Sequence, residues 1–126
     1  MIYELGVIQE FAAAHKLNNY EGNCRNIHGH TWKVEIVVEG EKLDENGMLI
    51  DFRELKKIAA CLIAEKYDHR FLNEIAPFDK INPTAENIAH QIYIDVKKKL
   101  PDGIKLKSVK VWESSNAYAL YKEGER

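Results

Sequence analysis

Apolar residues alternate with polar ones at both ends of this chain, and this period of two limits the folds open to it. In the segment HGHTWKVEIVVEGE, Trp32, Val34 and Ile36 share one parity, while Lys33 and Glu35 share the other. Alternation of this kind is typical of a strand with one face in the core. The same pattern predicts strands in YELGVIQEFAAAH, HGHTWKVEIVVEGE, IKLKSVKVWES and NAYALYKE.

The middle of the chain changes to a period close to 3.6, which predicts two amphipathic helices. Asp51 is expected to cap the first helix, and Asn82 or Thr84 the second. The Asn46-Gly47 pair predicts a tight turn, followed by a short return strand in MLIDF. The apolar stripes are Phe52, Leu55, Ile58, Ala59, Leu62 and Ile63 in the first helix, and Ala85, Ile88, Ala89, Ile92, Val96 and Leu100 in the second.

The order strand, strand, helix, helix, strand, strand predicts an α+β fold in a single domain, residues 1–126. Two helices would cover one face of a four-stranded antiparallel sheet. The other face and the outer strands would then need a partner, so we expect a homo-oligomer.

Composition excludes several classes of protein. The hydrophobic fraction is 45%, the charged fraction is 30%, and no apolar run is long enough to cross a bilayer. A net charge of −2 gives no general attraction for nucleic acid or for a membrane surface. The first residues lack a basic export signal, so we expect a cytoplasmic protein with Cys24 and Cys61 as free thiols. Cys61 lies among apolar residues and is expected to be buried.

The stretch CRNIHGHTW, residues 24–32, carries the most distinctive chemistry. His28 and His30 would project from the same face of a strand, with Gly29 between them leaving room for close approach. His15 ends the first strand at the parity of its apolar face, so an antiparallel pairing would bring it near both. Imidazole nitrogens bind Zn²⁺ at about 2.0–2.1 Å, and three histidines leave one of four positions open, as in catalytic zinc sites.

The residues alone leave two other interpretations of this stretch open. Cys24 could supply a fourth ligand and close the site into a structural zinc clip. The histidines could also be surface residues that hold no metal.

Two further groups could carry chemistry. Asp68 precedes His69, and a carboxylate beside an imidazole can fix its tautomer for general acid–base work; the alternative is a salt-bridged loop. Glu113 shares the parity of apolar residues in its strand, so its carboxylate could face a partner with N–H donors, or simply end the strand in solvent. His90 is expected to be a surface residue.

Taken together, these segments resemble the 6-pyruvoyl-tetrahydropterin synthase family, and most closely its 6-carboxy-5,6,7,8-tetrahydropterin synthase branch. The resemblance spans nearly the whole chain. It is carried in order by FAAAH, CRNIHGH, LIDFRELK, YDHRFLN, NPTAEN and VKVWES.

The resemblance implies roles for seven residues. His15, His28 and His30 match the zinc ligands, and Cys24 matches a catalytic cysteine that accepts a proton and is not a ligand. Asp68 and His69 match the partners that complete the proton-transfer group, and Glu113 matches the acid that anchors the pterin ring. The implied architecture is the tunnelling fold, in which subunits join their sheets into a barrel, commonly as a trimer or a dimer of trimers.

The implied activity is that of a zinc-dependent carbon–carbon lyase. It converts 7,8-dihydroneopterin triphosphate to 6-carboxytetrahydropterin, with release of acetaldehyde and triphosphate, in queuosine biosynthesis. The alternative within the family is 6-pyruvoyl-tetrahydropterin synthase, which acts on the same substrate; HGHTW in place of HGHNY favours the carboxy branch. A third branch lacks a cysteine at the position of Cys24, which argues against it. Outside the family, the alternative is a non-enzymatic structural zinc-binding module.

Overall fold

The alternating segments form strands and the segments of period 3.6 form helices, in the order that the sequence predicts. The computed structural model describes residues 1–18 and 26–124. The elements are β1 Tyr3–His15, β2 His28–Gly40, α1 Phe52–Lys66, β3 Arg70–Phe71, α2 Ala85–Lys97, β4 Lys105–Ser114 and β5 Ala117–Tyr121. The expected α+β class is confirmed.

The strands form one sheet in the order β3-β1-β2-β4-β5. The pairs β1–β2, β2–β4 and β4–β5 are antiparallel, as expected. The short β3 lies parallel to β1, so the sheet is mixed and has five strands, where the sequence predicts four. Two residues are too few to give an alternating pattern, and only their position beside β1 makes them a strand.

Both helices pack on one face of the sheet, α1 mainly against β1 and α2 against β4 and β5. Trp32, Val34, Ile36 and Val38 are fully buried on that face, which confirms the predicted parity of β2. Burial of apolar surface contributes roughly 25 cal/mol per Å², so this contact stabilises the fold. The last residue of β1, His15, lies beside the loop before α2, where its Nδ1 is 2.8 Å from the Pro83 carbonyl oxygen.

The helix caps agree with the sequence. The Asp51 side chain accepts a hydrogen bond from the Arg53 backbone N–H at 2.8 Å. Of the two candidate caps for α2, Thr84 is the one used, since its side chain accepts from the Asn87 N–H at 3.1 Å. Within the described part of the chain, neither helix has the length and apolar character needed to span a membrane.

Three local expectations are wrong. The turn at Asn46-Gly47 is present, with Gly47 at φ 81°, but no return strand follows it. Phe52 is 52% exposed, because the first residue of α1 lies off the face that carries the buried Leu55. Cys61 is exposed rather than buried. Cys61 follows the buried Ala59 by two residues, so its side chain lies about 200° further around the axis of α1, away from the sheet.

Candidate metal centre and proton-transfer pair

Three histidines meet where β1 ends and β2 begins. His15 lies directly opposite His28 in the antiparallel register, and His30 lies two residues further along the same face of β2. The ring centroids of His15 are 4.5 Å from those of His28 and 5.1 Å from those of His30. One potential ligand atom from each, together with a carboxylate oxygen of Glu113, fall within 4.8 Å of one another. The structure therefore brings together the three histidines that the strand pattern placed on one face.

Backbone carbonyls fix which ring nitrogen faces this cluster. His15 Nδ1 is 2.8 Å from the Pro83 carbonyl oxygen, and His28 Nδ1 is 2.7 Å from that of Asn26. A carbonyl only accepts hydrogen bonds, so each Nδ1 carries the hydrogen and each Nε2 keeps its lone pair in the neutral ring. His15 Nε2 is buried and has no hydrogen-bond partner among residues 1–18 and 26–124.

Burial favours the neutral form of two of these rings. His15 is 1% exposed, and desolvation is the largest influence that lowers its pKa below the usual value of 6.5; the neighbouring His28 lowers it as well. The pKa of His30 is also lowered by burial, against the opposing attraction of the Glu113 carboxylate. Neutral imidazole is the form that binds a metal ion, so burial keeps these two rings in the metal-binding form.

Glu113 lies in the cluster itself rather than at a distance from it. Its Oε1 is 3.2 Å from His30 Nε2, although the two atoms are not aligned as a hydrogen bond. The side chain is 33% exposed, so the carboxylate also reaches solvent. This position allows Glu113 to act either as a further metal ligand or as an anchor for a bound molecule.

Trp32 forms one wall of the cluster, a role that the sequence analysis did not assign to it. Its ring lies 5.0 Å from that of His15 and 5.3 Å from that of His30, both edge-on. The indole N–H donates to the Ala13 carbonyl at 3.3 Å, and the ring stacks on Phe11. The sequence feature that could have indicated this role is that Trp32 and His30 lie two residues apart on β2 and therefore share a face.

Asp68 and His69 are in contact, as a proton-transfer pair requires. His69 Nδ1 is 3.0 Å from Asp68 Oδ1, and the same oxygen accepts the backbone N–H of Ala12 at 3.0 Å. The His69 N–H donates in turn to the Ala12 carbonyl, with His69 in the left-handed region at φ 58°. The pKa of Asp68 is lowered, first by the Ala12 N–H and then by His69. His69 thus carries its hydrogen on Nδ1 and leaves Nε2 free, on a ring that is 82% exposed.

One member of the histidine cluster, His30, and one member of this pair, His69, border the same open cleft, whose volume is about 610 Å³. Its walls come from the ends of β1 and β2 and from β3, and they include both His30 and His69. Gly29 lines the cleft too, but within the described part of the chain a side chain there would meet only the Ala13 carbonyl, at 4.0 Å. The histidines therefore do not require a glycine between them for close approach.

Two other sequence expectations concern single residues. Cys24 lies outside the described residues, so its place relative to the cluster stays a prediction. His90 is exposed on α2, and its ring lies 4.5 Å from that of Tyr121.

The cluster fits a zinc ion by the chemistry of its donors. Zinc takes imidazole nitrogens and carboxylate oxygens in a tetrahedral arrangement. The buried, unpaired Nε2 of His15 would otherwise lack a partner, which is rare for a buried polar atom. The Nδ1 atoms of His15 and His28 donate hydrogen bonds to backbone carbonyls. The nitrogen that does not bind the metal commonly makes such a bond in metal-binding histidines.

Fold and cluster together define an α+β protein with a candidate three-histidine metal centre beside an aspartate–histidine pair. The chain belongs to the 6-pyruvoyl tetrahydropterin synthase family, whose sequence profile matches residues 4–124. This family membership confirms the resemblance drawn from the motifs.

Several named relatives match most of the chain. A putative 6-carboxy-5,6,7,8-tetrahydropterin synthase from Archaeoglobus fulgidus is 36% identical over 91% of each chain. The 6-carboxy-5,6,7,8-tetrahydropterin synthase of Bacillus subtilis is 35% identical over 95% of this chain and 85% of its own. A dihydroneopterin monophosphate aldolase from Pyrococcus furiosus is 42% identical over 83% of this chain and 84% of its own.

Solved structures agree with the fold. The 6-pyruvoyl tetrahydropterin synthase of Caenorhabditis elegans superposes with a TM-score of 0.85, at 28% identity, over 98% of this chain and 97% of its own.

Proposed function

We propose that this protein is a zinc-dependent 6-carboxy-5,6,7,8-tetrahydropterin synthase. It converts 7,8-dihydroneopterin triphosphate to 6-carboxytetrahydropterin, releases acetaldehyde and triphosphate, and serves queuosine biosynthesis as a carbon–carbon lyase. The relatives from Archaeoglobus fulgidus and Bacillus subtilis, which carry that name, support the choice of branch.

One observation carries the proposal: His30 of the cluster and His69 of the acid–base pair line the same cleft. A substrate in the cleft can therefore meet both groups at once. Holding reacting groups and substrate together in this way removes much of the entropic barrier to reaction. A purely structural zinc site has no use for the Asp68–His69 pair.

Each of the assigned residues has a separate role in the proposed reaction. Zinc held by His15, His28 and His30 would supply Lewis-acid stabilisation of negative charge on side-chain oxygens of the substrate. His69, oriented by Asp68, exchanges a proton at its free Nε2.

The other two assigned residues act on the ring and on the side chain of the substrate. The Glu113 carboxylate holds the pterin through its N–H donors, so that the side chain reaches the cluster. Cys24 is assigned as the base, and as a partial thiolate it accepts a proton from the carbon chain.

Incubation of the zinc-loaded protein with 7,8-dihydroneopterin triphosphate, followed by mass spectrometry, tests this function. We expect 6-carboxytetrahydropterin and acetaldehyde. A 6-pyruvoyl product would assign the protein to the alternative branch with the same site residues. No turnover by folded, zinc-loaded protein would refute the enzyme assignment and favour the structural module.

The Cys24→Ala variant tests the assignment of the base. We expect it to bind zinc as the wild type does and to lose most of its activity. Full activity with zinc bound would remove Cys24 from the mechanism. Loss of zinc would instead support the closed clip, in which Cys24 is the fourth ligand.

The second candidate function is that of a dihydroneopterin monophosphate aldolase, and the 42% identity to the Pyrococcus furiosus enzyme favours it. The same acid–base pair would suit a retro-aldol cleavage, which also begins with proton removal from a substrate oxygen or carbon. Offering the monophosphate and the triphosphate in parallel separates the two activities. A product with a one-carbon hydroxymethyl side chain, formed from the monophosphate, would establish the aldolase.

We also infer that the subunits assemble into a homo-oligomer, as a trimer or a dimer of trimers. The helix-free face of the sheet exposes Ile8, Tyr118 and Leu120, which supports a covering partner. A monomeric mass in light scattering at working concentration would contradict this.

A further inference from the structure

The loop before α2 contacts the end of β1 at two neighbouring points. Asn82 and Asn18 exchange hydrogen bonds: the Asn18 N–H donates to Asn82 Oδ1 at 2.8 Å, and Asn82 Nδ2 donates to the Asn18 carbonyl at 3.0 Å. The next residue, Pro83, accepts from His15 Nδ1 at 2.8 Å. The Pro83 carbonyl and the residue before it are thus both bound to the segment that carries His15.

Asn87 holds this loop in place from the first turn of α2. Its side-chain Nδ2 donates to the Asn82 carbonyl at 2.8 Å, and its backbone N–H donates to Thr84 Oγ1 at 3.1 Å. The ring of Pro83 fixes its own φ near −65°. Asn87 binds the peptide group before Pro83, and Thr84, the residue after Pro83, caps the helix. These contacts leave the Pro83 carbonyl little freedom to rotate.

We propose that Asn87 is a positioning residue for His15, acting through the Asn82–Pro83 peptide group. It aims the Pro83 carbonyl at His15 Nδ1, and thereby presents His15 Nε2 to the histidine cluster. This inference rests on the proposed zinc site and gives the NPTAEN segment, residues 82–87, a role that its sequence does not reveal.

His15 is the most deeply buried of the three histidines, since His28 and His30 are both partly exposed. It is 1% exposed, and its Nε2 has no hydrogen-bond partner in the described chain. If the Pro83 carbonyl turned away, the hydrogen on the ring could move to Nε2 and block metal binding. Loss of an outer contact of this kind commonly weakens metal binding by roughly 10- to 100-fold.

The variant that isolates this role is Asn87→Asp. Aspartate has the same shape but lacks the Nδ2–H donor, and its charge repels the Asn82 carbonyl. The backbone hydrogen bond to Thr84 does not involve the side chain and persists. An acid in the first turn of a helix also interacts favourably with the helix dipole, so α2 should stay folded.

Two measurements on the Asn87→Asp variant test the proposal without using activity. Zinc affinity is measured by competition with a chromogenic chelator, and the dissociation constant is expected to rise about tenfold. The tautomer of His15 is read in the metal-free protein by ¹⁵N nuclear magnetic resonance at pH 8. The wild type should carry the hydrogen on Nδ1, and the variant should populate the Nε2–H form.

Asp51→Ala is the matched control, because it removes the cap at the start of α1, about 22 Å along the helix from the end that leads to Asp68. Its zinc affinity should equal that of the wild type. An equal loss of affinity in this control, or an unchanged affinity and tautomer in Asn87→Asp, would overturn the proposal. If Asn87→Asp failed to fold, Asn87→Ala would be measured in the same way.

These readouts keep the inference separate from the proposed function. Zinc binding without pterin turnover in the wild type would refute the synthase and leave the role of Asn87 standing. If the wild type bound no zinc, the metal assignment would fail, and the His15 tautomer in Asn87→Asp would still decide the positioning role.

Discussion

Replacing Glu113 by glutamine separates the two roles that the position of its carboxylate allows. Glutamine keeps the shape of the side chain and removes its charge. As a pterin anchor, Glu113 binds substrate N–H groups through charge-assisted hydrogen bonds. As a fourth metal ligand, it binds zinc, and substrate only indirectly. The variant therefore changes substrate binding in one case and zinc affinity in the other.

The size of the expected effect follows from the exposure of this side chain. Hydrogen bonds to a charged group contribute about 1.5–3 kcal/mol each, which corresponds to roughly 10- to 150-fold in an equilibrium constant. The Glu113 side chain is 33% exposed, so solvent screening favours the lower end of that range. We expect kcat/KM to fall about tenfold, mainly through KM.

Zinc binding should change little in the Glu113→Gln variant. The carboxylate raises the pKa values of His15 and His30, so its removal makes both rings easier to deprotonate. At pH values below 6.5, where protons compete with zinc for these rings, this partly offsets the lost attraction between the carboxylate and the ion.

The assay combines steady-state kinetics with chelator competition on the same preparation. Glu45→Gln, an exposed carboxylate in the turn after β2, serves as the matched control and should behave as the wild type. A zinc dissociation constant raised more than about 100-fold in Glu113→Gln would refute the anchor role and make Glu113 a ligand. Unchanged kinetics and unchanged zinc affinity would exclude Glu113 both as a pterin anchor and as a metal ligand.

Three other changes have outcomes that the structure determines. His69→Asn should keep the fold, because asparagine tolerates the left-handed backbone found at φ 58°, yet lower kcat by roughly 10²- to 10⁴-fold through loss of the acid–base group; thermal unfolding and turnover check this, and undiminished turnover would exclude His69. In the metal-free protein, His15 and His30 have pKa values below 6.5, so the unfolded chain takes up protons first as the pH falls below 6.5. The free energy of unfolding should therefore decrease from pH 7.5 to pH 5.5 in urea titrations, and a rise would contradict the burial argument. Ile92→Ala should reduce the free energy of unfolding by about 2–5 kcal/mol, since Ile92 is fully buried in α2; a loss below about 1 kcal/mol would mean that the core refills the cavity.

Most of the fold could be predicted because its elements are long and strongly patterned. The thirteen residues of β1 and of β2 each give several repeats of the period-two signal, and the caps of α1 and α2 have side chains suited to that position. Two of the errors concern a very short strand and the first residue of a helix. β3 has two residues, and Phe52 begins a helix, so neither has enough neighbours on its own face to set a pattern.

In the candidate site, too, the features that follow from strand parity could be predicted, and the contacts between distant segments could not. The convergence of the three histidines could be predicted because His28 and His30 share a strand face and His15 shares the parity of the apolar face of its own strand. The part played by Trp32 was missed although its parity was known, because parity gives a face and not a contact. The Pro83 carbonyl carried no signal, since every residue has one.

The sequence by itself determined which face each strand and helix turns to the core, and hence that three histidines could converge. Only the tertiary structure decided what holds them, because those contacts join segments far apart along the chain. His15 and Pro83 are 68 residues apart, and Ala12 and Asp68 are 56 apart. Local periodicity is set by backbone geometry within a few residues, whereas such contacts exist only after both helices have packed on the sheet and brought their loops to the end of β1.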